Sequence, residues 1–213
     1  MTTSCPHSTK RFAFSSQQLI NAIFPYYQKN ILPGRTSYRP IEVAKRKSSY
    51  RKDDTRLHVD SFPATPNHGH RLLRVFSNIN PYNQARVWRI GESFEEVART
   101  FLPLIGKPLP GSAQCLNLLR LTKSLRSEYD HIMLQIHNRM KKDLDYQRNA
   151  KQIEISFPTG SSWIVQTDSV PHAAMSGQFL LEQTFYIPVA AMRDSNQSPL
   201  RILERLTGRK LVN

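Results

Sequence analysis

Short apolar segments, bounded by proline, glycine and asparagine, recur along the chain and predict β-strands. They are rich in valine, isoleucine, leucine and aromatic residues, which fit the pleated surface of a sheet. Six strands are predicted, over residues 57–62, 71–80, 85–90, 152–157, 162–167 and 184–189. Pro158-Thr159-Gly160 predicts a turn that joins the fourth strand to the fifth. The pattern therefore indicates a core built mainly from β-sheet.

Apolar residues at intervals of three and four predict helices around these strands. Four are expected: one capped by Ser15 or Ser16, one from Ser93 to about Leu102, a long or interrupted amphipathic one near residues 113–146, and a closing one over 198–206. The second begins with the capping box Ser93-Phe94-Glu95-Glu96. The third carries an apolar stripe from Leu118 to Leu144, and His131 and His137 lie off this stripe and are expected to face solvent.

Length and composition indicate one domain with a sizeable core. The chain has 213 residues, of which 39% are hydrophobic and 22% are charged, and no compositional break divides it. Cys5 and Cys115 are far apart, which argues against a disulfide framework and a cysteine zinc site and predicts a reducing, cytoplasmic location. The N-terminus is polar, and no apolar run approaches the roughly 20 residues that span a bilayer. Any membrane contact is therefore expected to be peripheral.

The charge balance predicts an anionic partner. Thirty Lys and Arg against 16 Asp and Glu give a net charge of +14, which suits nucleic acid, a phosphorylated substrate or an acidic membrane surface. Residues 32–52 are basic and irregular and are predicted to form a loop. This loop contains Lys45-Arg46-Lys47 and Arg51-Lys52, which either form a solvated surface or contact an anionic one.

A metal site is suggested by His58-Val59-Asp60. Two residues separated by one position on a strand point to the same face, so a His and a carboxylate can bind one metal ion together. A distant His172 would complete the two-histidine, one-carboxylate triad of non-haem iron oxygenases. The short motif is common by chance, so the joint occurrence of the three residues carries the argument.

Arg74 is the candidate anchor for an acidic co-substrate. Oxygenases that use 2-oxoglutarate need a buried cation for its distal carboxylate, and a bidentate arginine suits that role. Arg74 lies in an otherwise apolar predicted strand, on the same face as Phe76 and Asn78. If Arg74 is buried, it must pair with an acidic group to offset the cost of its desolvation. The alternative is that it lies on a solvated strand face, where it needs no partner. Trp88, on the next strand, is either a core residue or a wall of the ligand site.

Two alternative functions remain open at this level. The first is an iron dioxygenase that acts on nucleic acid, which the positive charge permits equally well, although only Tyr38 and Tyr50 lie near the basic loop as candidate stacking residues. The second is a basic nucleic-acid-binding module without catalysis, in which His58 and Asp60 are structural. Metal analysis of protein prepared without oxygen would separate the enzymes from the module.

Longer stretches resemble the Kdo hydroxylase family, where Kdo is 3-deoxy-D-manno-oct-2-ulosonic acid. The resemblance spans nearly the whole chain and rests on residues 58–63, 71–81, 86–92, 94–95, 157–163 and 172–178. It implies a double-stranded β-helix, the cupin-like jelly roll, with flanking helices. It also implies an enzyme that uses Fe(II), 2-oxoglutarate and O2 to hydroxylate Kdo at carbon 3. The product is D-glycero-D-talo-oct-2-ulosonic acid (Ko), in the inner core of lipopolysaccharide.

The resemblance also implies roles for individual residues. The three iron ligands would be His58, Asp60 and His172. Arg74, Trp88 and Arg39 would line the 2-oxoglutarate site. Residues 1–213 would form a single dioxygenase domain that lacks an N-terminal segment usual in the family. The expected partner is Kdo-containing lipid A or a lipopolysaccharide precursor, and the expected place of action is the inner face of the cytoplasmic membrane.

Overall fold

Two antiparallel β-sheets form the centre of the molecule in a computed structural model that describes residues 6–45 and 48–212. The strands are β1 Leu32–Arg39, β2 Arg71–Asn78, β3 Arg86–Ile90, β4 Ile153–Phe157, β5 Ser162–Gln166, β6 His172–Ser176 and β7 Leu180–Ile187. The major sheet has the order β1-β7-β2-β5, and the minor sheet has the order β4-β3-β6. The mainly β core that the sequence predicts is therefore present.

Six α-helices surround the sheets in the part of the chain that the structure describes. They are α1 Pro6–Ile23, α2 Phe94–Phe101, α3 Ser112–Leu118, α4 Glu128–Lys142, α5 Leu144–Asn149 and α6 Pro199–Thr207. Ser93 and Glu96 form the predicted capping box at the start of α2, and Ser198 caps α6 where a helix start is predicted. Helices α2, α4 and α6 share an apolar cluster that includes Val97, Ile136 and Leu203. None of the helices described is long and apolar enough to cross a bilayer.

Strand β2 shows how the sequence pattern builds the sandwich. Its odd-numbered residues Leu73 and Val75 pack against α1 on the outside of the major sheet. Its even-numbered residues Arg74 and Phe76 point between the sheets, where Phe76 meets Trp88 of β3 edge to face at 5.0 Å. The predicted sharing of one face by Arg74 and Phe76 is thus confirmed. The guanidinium of Arg74 therefore lies between the two sheets, beside the aromatic side chains that pack there.

Several strand predictions are corrected by the structure. Residues 57–62 form only one β-bridge, between His58 and His172, rather than a strand. Residues 32–39, predicted as loop, form strand β1 because they pair along β7 with a bulge between Pro33 and Thr36. The turn at 158–160 is present, but β4 pairs with β3 while β5 pairs with β2, so this turn carries the chain from one sheet to the other. Strand β7 begins four residues earlier than predicted.

The helix predictions also need correction. Helix α1 begins at Pro6, so Ser16 is a buried residue inside it rather than its cap. The long apolar stripe is broken, because α3 ends at Leu118 and α4 begins only at Glu128, capped by Ser127. The residues between the two helices expose their leucines to solvent. Cys115 is a free, exposed thiol, whereas Cys5 and the basic pair 46–47 lie outside the described residues.

Candidate metal and co-substrate site

A single β-bridge brings the predicted metal ligands together. His58 N–H donates to the carbonyl of His172 at 3.0 Å, and His172 N–H donates back to His58 at 2.8 Å. Two residues on, Asp60 N–H donates to the carbonyl of Thr167 at 2.7 Å. The three side chains are buried, and each offers one ligand atom within 4.8 Å of the others. The structure thus brings His58, Asp60 and His172 into one cluster, as the sequence predicts.

Main-chain carbonyls hold both imidazoles in one tautomer. Nδ1 of His58 donates to the carbonyl of Arg56 at 2.7 Å, and Nδ1 of His172 donates to that of Val170 at 2.8 Å. A carbonyl can only accept, so Nδ1 carries the proton and Nε2 keeps its lone pair for a metal ion. Burial lowers the pKa of His58 to about 3 and also lowers the pKa of His172, which keeps both rings neutral.

Asp60 is held in its ionised form. Burial alone would raise its pKa, but the Arg74 guanidinium holds the pKa well below its ordinary value. Arg74 Nη1 donates to Asp60 Oδ2 at 2.5 Å, while Asp60 Oδ1 lies 3.6 Å from His58 Nε2. One carboxylate oxygen therefore pairs with the arginine, and the other faces the histidines. This division leaves Oδ1 available to a cation.

Arg74 and Arg39 are joined by an acidic residue that the sequence analysis missed. Glu182, buried on β7, forms an ion pair with Nη2 of Arg74, and its Oε2 lies 2.8 Å from Nη2 of Arg39. Arg39, at the end of β1, also donates to Asp54 at 3.2 Å. Leu180, Glu182 and Thr184 occupy every second position of β7 and lie on the same buried face of the strand. An acidic residue among them was the signal in the sequence for a buried ion pair.

Trp88 lies against the metal cluster. Its ring is stacked on the His172 imidazole, with centroids 5.1 Å apart and an angle of 19° between the planes. Phe76 and Trp163 contact the same indole edge to face. These rings fix the orientation of Trp88, so its position beside His172 agrees with the predicted wall of the ligand site.

A small cavity of about 40 Å³ lies directly beside the cluster. Its lining comprises Arg39, Asp54, His58, Asp60, Arg74, Phe76, Arg86, Trp88, His172, Ala174, Leu180 and Glu182. Three buried donors of this lining have no hydrogen-bond partner within the described part of the chain: Arg74 Nε, Arg86 Nε and Trp88 Nε1. Buried donors without partners are costly, and an acidic ligand would satisfy them.

Arg86 is a further cation of this cavity that the sequence analysis did not single out. It lies on β3, two residues before Trp88, and its Nη1 donates to the carbonyl of Gly177 at 2.6 Å. Burial, together with the nearby Arg39, lowers its pKa to about 10, so the side chain is still charged at neutral pH. Arg86 therefore lines the cavity together with Arg39 and Arg74, and unlike them it is not paired there with the described residues Asp54, Asp60 or Glu182.

A much larger groove, of about 1280 Å³, opens onto His58 and Asp60 from outside. Its wall includes basic residues from four separate segments: Arg35, Arg51, Lys52, Lys123 and Lys141. His137 of α4 also lines the groove and is half-buried there, so the prediction that it faces solvent is wrong. Its Nδ1 donates to the carbonyl of Val59 at 2.7 Å, and its ring meets the His58 ring edge to face at 5.1 Å.

Comparison with known proteins identifies the family. The family model described as 3-deoxy-D-manno-oct-2-ulosonic acid (Kdo) hydroxylase matches residues 5–210. The chain belongs to the Kdo hydroxylase family. A search of curated proteins gives no match.

Solved structures of the Kdo hydroxylase KdoO, a non-heme Fe(II) alphaketoglutarate dependent dioxygenase, match the chain at 49% identity. The match covers 96% of this chain and 69% of the KdoO chain. The TM-score is 0.94 for the complex with alphaketoglutarate and Fe(III), 0.95 for the cobalt(II) complex and 0.94 for the apo structure. This likeness confirms the family resemblance and the double-stranded β-helix class of the Kdo hydroxylase fold.

Proposed function

We propose that this Kdo hydroxylase uses Fe(II), 2-oxoglutarate and O2 to hydroxylate Kdo at carbon 3, which gives Ko in the lipopolysaccharide inner core. The observation that carries the proposal is the cluster of two histidines and one aspartate beside a cavity with three arginines. Family membership supplies the sugar and the reaction. Residues 1–213 would act as one dioxygenase domain, because both sheets line the cavity and helix α4 lines the adjoining groove.

His58 Nε2, His172 Nε2 and Asp60 Oδ1 would hold the iron. The donor set fits, because two neutral imidazoles and one ionised carboxylate are the ligands of non-haem iron oxygenases. When bound, the iron lets 2-oxoglutarate and O2 give succinate and CO2, and the second oxygen atom enters the C–H bond of the sugar. The Arg56 and Val170 carbonyls keep Nε2 of each imidazole directed inward throughout.

Arg74, Arg39 and Arg86 would bind the carboxylates of 2-oxoglutarate. The donors without partners on Arg74, Arg86 and Trp88 support this assignment. Nε of Arg74, which has no partner among the described residues, would be the donor left for the co-substrate while Nη1 stays paired with Asp60 Oδ2. Glu182 would then keep Arg74 and Arg39 oriented, because it contacts both.

The groove would hold the substrate. Kdo is a sugar acid, and in lipopolysaccharide precursors it is attached to phosphorylated lipid A, so its surroundings are anionic. Arg51, Lys52 and Lys123 lie along the groove that leads to His58 and Asp60, and they suit such a substrate. The enzyme would act at the inner face of the cytoplasmic membrane. Family membership argues against both nucleic-acid alternatives.

The direct test is hydroxylation by the purified protein. The chain, loaded with Fe(II) without oxygen, is mixed with 2-oxoglutarate, O2 and Kdo-bearing lipid A, and the sugar is analysed by mass spectrometry. The expected result is a gain of one oxygen atom on Kdo and one succinate for each hydroxylation, with no product from His172→Ala. Succinate formation without oxygen on Kdo would contradict the proposed substrate.

A further inference from the structure

One stretch of the chain exposes an unusual amount of apolar surface. We call residues 104–126 the leucine segment. Six of its seven leucines are exposed, by 54% for Leu104, 78% for Leu109, 83% for Leu118, 61% for Leu119, 58% for Leu121 and 49% for Leu125. A single exposed leucine is ordinary, but large contiguous apolar patches mark sites of interaction. The segment spans α3 and the chain that links it to α4, where the predicted apolar stripe fails to enter the core.

The charges within the leucine segment all have one sign. Residues 100–127 contain no Asp or Glu, whereas Lys107, Arg120, Lys123 and Arg126 are interspersed among the leucines. Leucine combined with lysine and arginine is the composition of segments that lie in the interface of an anionic bilayer. Each basic residue near such a surface adds to the attraction, while the apolar side chains enter the boundary between headgroups and acyl chains.

Two hydrogen bonds hold the leucine segment against the rim of the groove. Lys123 N–H donates to the carbonyl of Ala64 at 2.9 Å, and Arg126 donates to the carbonyl of Pro63 at 2.7 Å. Pro63, Ala64 and Lys123 all belong to the groove wall, as do His58 and Asp60 at its inner end. A surface that holds the leucine segment would therefore lie beside the entrance through which the substrate reaches the metal cluster.

We propose that the leucine segment docks on an anionic lipid bilayer and places the groove entrance at the membrane surface. The proposal rests on the proposed function, because a substrate linked to lipid A is anchored in that bilayer. A second copy of the chain is a poorer occupant. A two-fold interface would bring the same four basic residues of each copy together, with no acidic residue in the segment to pair with them.

The test measures binding of the full chain to vesicles without iron, 2-oxoglutarate or substrate. Wild type is expected to sediment with phosphatidylcholine vesicles that contain phosphatidylglycerol, and to be released as salt is raised. The triple variant Leu118→Ser, Leu119→Ser, Leu121→Ser should bind at least about tenfold more weakly, because three apolar contacts are lost. A matched variant removes three other exposed residues, Tyr82→Ser, Leu144→Ser and Ile153→Ser, which are 67%, 55% and 64% exposed. It should bind like wild type.

Three results would overturn the proposal. One is the absence of wild-type binding to the anionic vesicles, and another is equal binding by the leucine variant and wild type. The third is a fall in the molecular mass of the protein in solution with the leucine variant, which would assign the segment to self-association. Vesicle binding requires no turnover, so a failure of docking and a failure of Kdo hydroxylation are observed separately.

Discussion

Arg74 of β2 and Glu182 of the neighbouring strand β7 form a buried ion pair on the inner face of the major sheet. Glu182 also contacts Arg39, while Arg74 also contacts Asp60. Opposite charges thus alternate from the end of β1 to the metal cluster. Since Asp60, Arg74 and Glu182 are buried, these three charges depend on one another to offset the cost of their desolvation.

Glu182→Ala is therefore expected to lower the free energy of unfolding by about 3 to 5 kcal/mol, because it leaves a buried positive charge without one of its partners. Urea denaturation of the metal-free protein measures this change. Asp145→Ala is a suitable control, since the ion pair of Asp145 with Arg148 lies within helix α5 and both side chains are exposed. A loss below about 1 kcal/mol for Glu182→Ala would show that the pair with Arg74 contributes little.

His58→Ala, Asp60→Ala and His172→Ala should each abolish iron binding and turnover, because each removes one of the three proposed ligands. Asp60→Glu should also be poor, because the longer side chain displaces the oxygen. Iron content after loading without oxygen is measured first, and turnover second. His131→Ala, near the start of α4 and outside the metal cluster, is the matched control and should keep wild-type iron content. Full iron content and activity in His172→Ala would exclude the assigned triad.

Arg74→Ala should raise the concentration of 2-oxoglutarate needed for half saturation by tens to thousands of fold. The loss of a buried, charge-assisted pair typically costs about 2 to 5 kcal/mol, which corresponds to that range. Arg74→Lys should recover part of the affinity, since lysine retains the charge without the planar fork. Titration of the iron-loaded protein with 2-oxoglutarate gives the measurement. Unchanged affinity in Arg74→Ala would move the anchor to Arg39 or Arg86.

Arg51→Gln with Lys52→Gln should reduce activity on Kdo-bearing lipid A at low salt and have less effect at high salt, because salt already screens these exposed charges. Binding of iron and 2-oxoglutarate should stay unchanged. Lys29→Gln with Lys142→Gln removes the same charge from positions outside the groove and serves as the control. If both double variants lose activity equally, net charge rather than the groove determines the effect.

The sequence predicts the elements whose signals are local. The capping box at Ser93, the cap at Ser198 and the alternation of β2 are each contained in a short window, and each is present in the structure. The ligand cluster is also predicted, because the spacing of His58 and Asp60 sets a shared face wherever the chain is extended. That cluster needs only one bridge to His172 rather than a full strand.

The errors arise where a distant partner decides the structure. The sequence of strand β1 predicts a basic loop, because its pairing partner β7 is far away in the chain. Gly34 allows the two strands to approach closely, since an added Cβ would lie 2.8 Å from the Tyr186 ring on β7. An acidic residue on the buried face of β7 signals a buried partner, but the arginine that supplies it lies more than one hundred positions away, so the local pattern does not identify it. Likewise, the spacing of Leu118 and Leu121 is helical, but whether these leucines meet a core is a tertiary property.

The bridge between His58 and His172 joins two points separated by more than half of the chain. Contacts this remote in sequence carry a large loop-closure entropy and form slowly compared with helices and short turns. The three candidate ligands are therefore expected to come together only after the strands of both sheets have paired. Bound metal would then act as a reporter of complete folding, since a chain that has collapsed without closing the sandwich has nowhere to hold it.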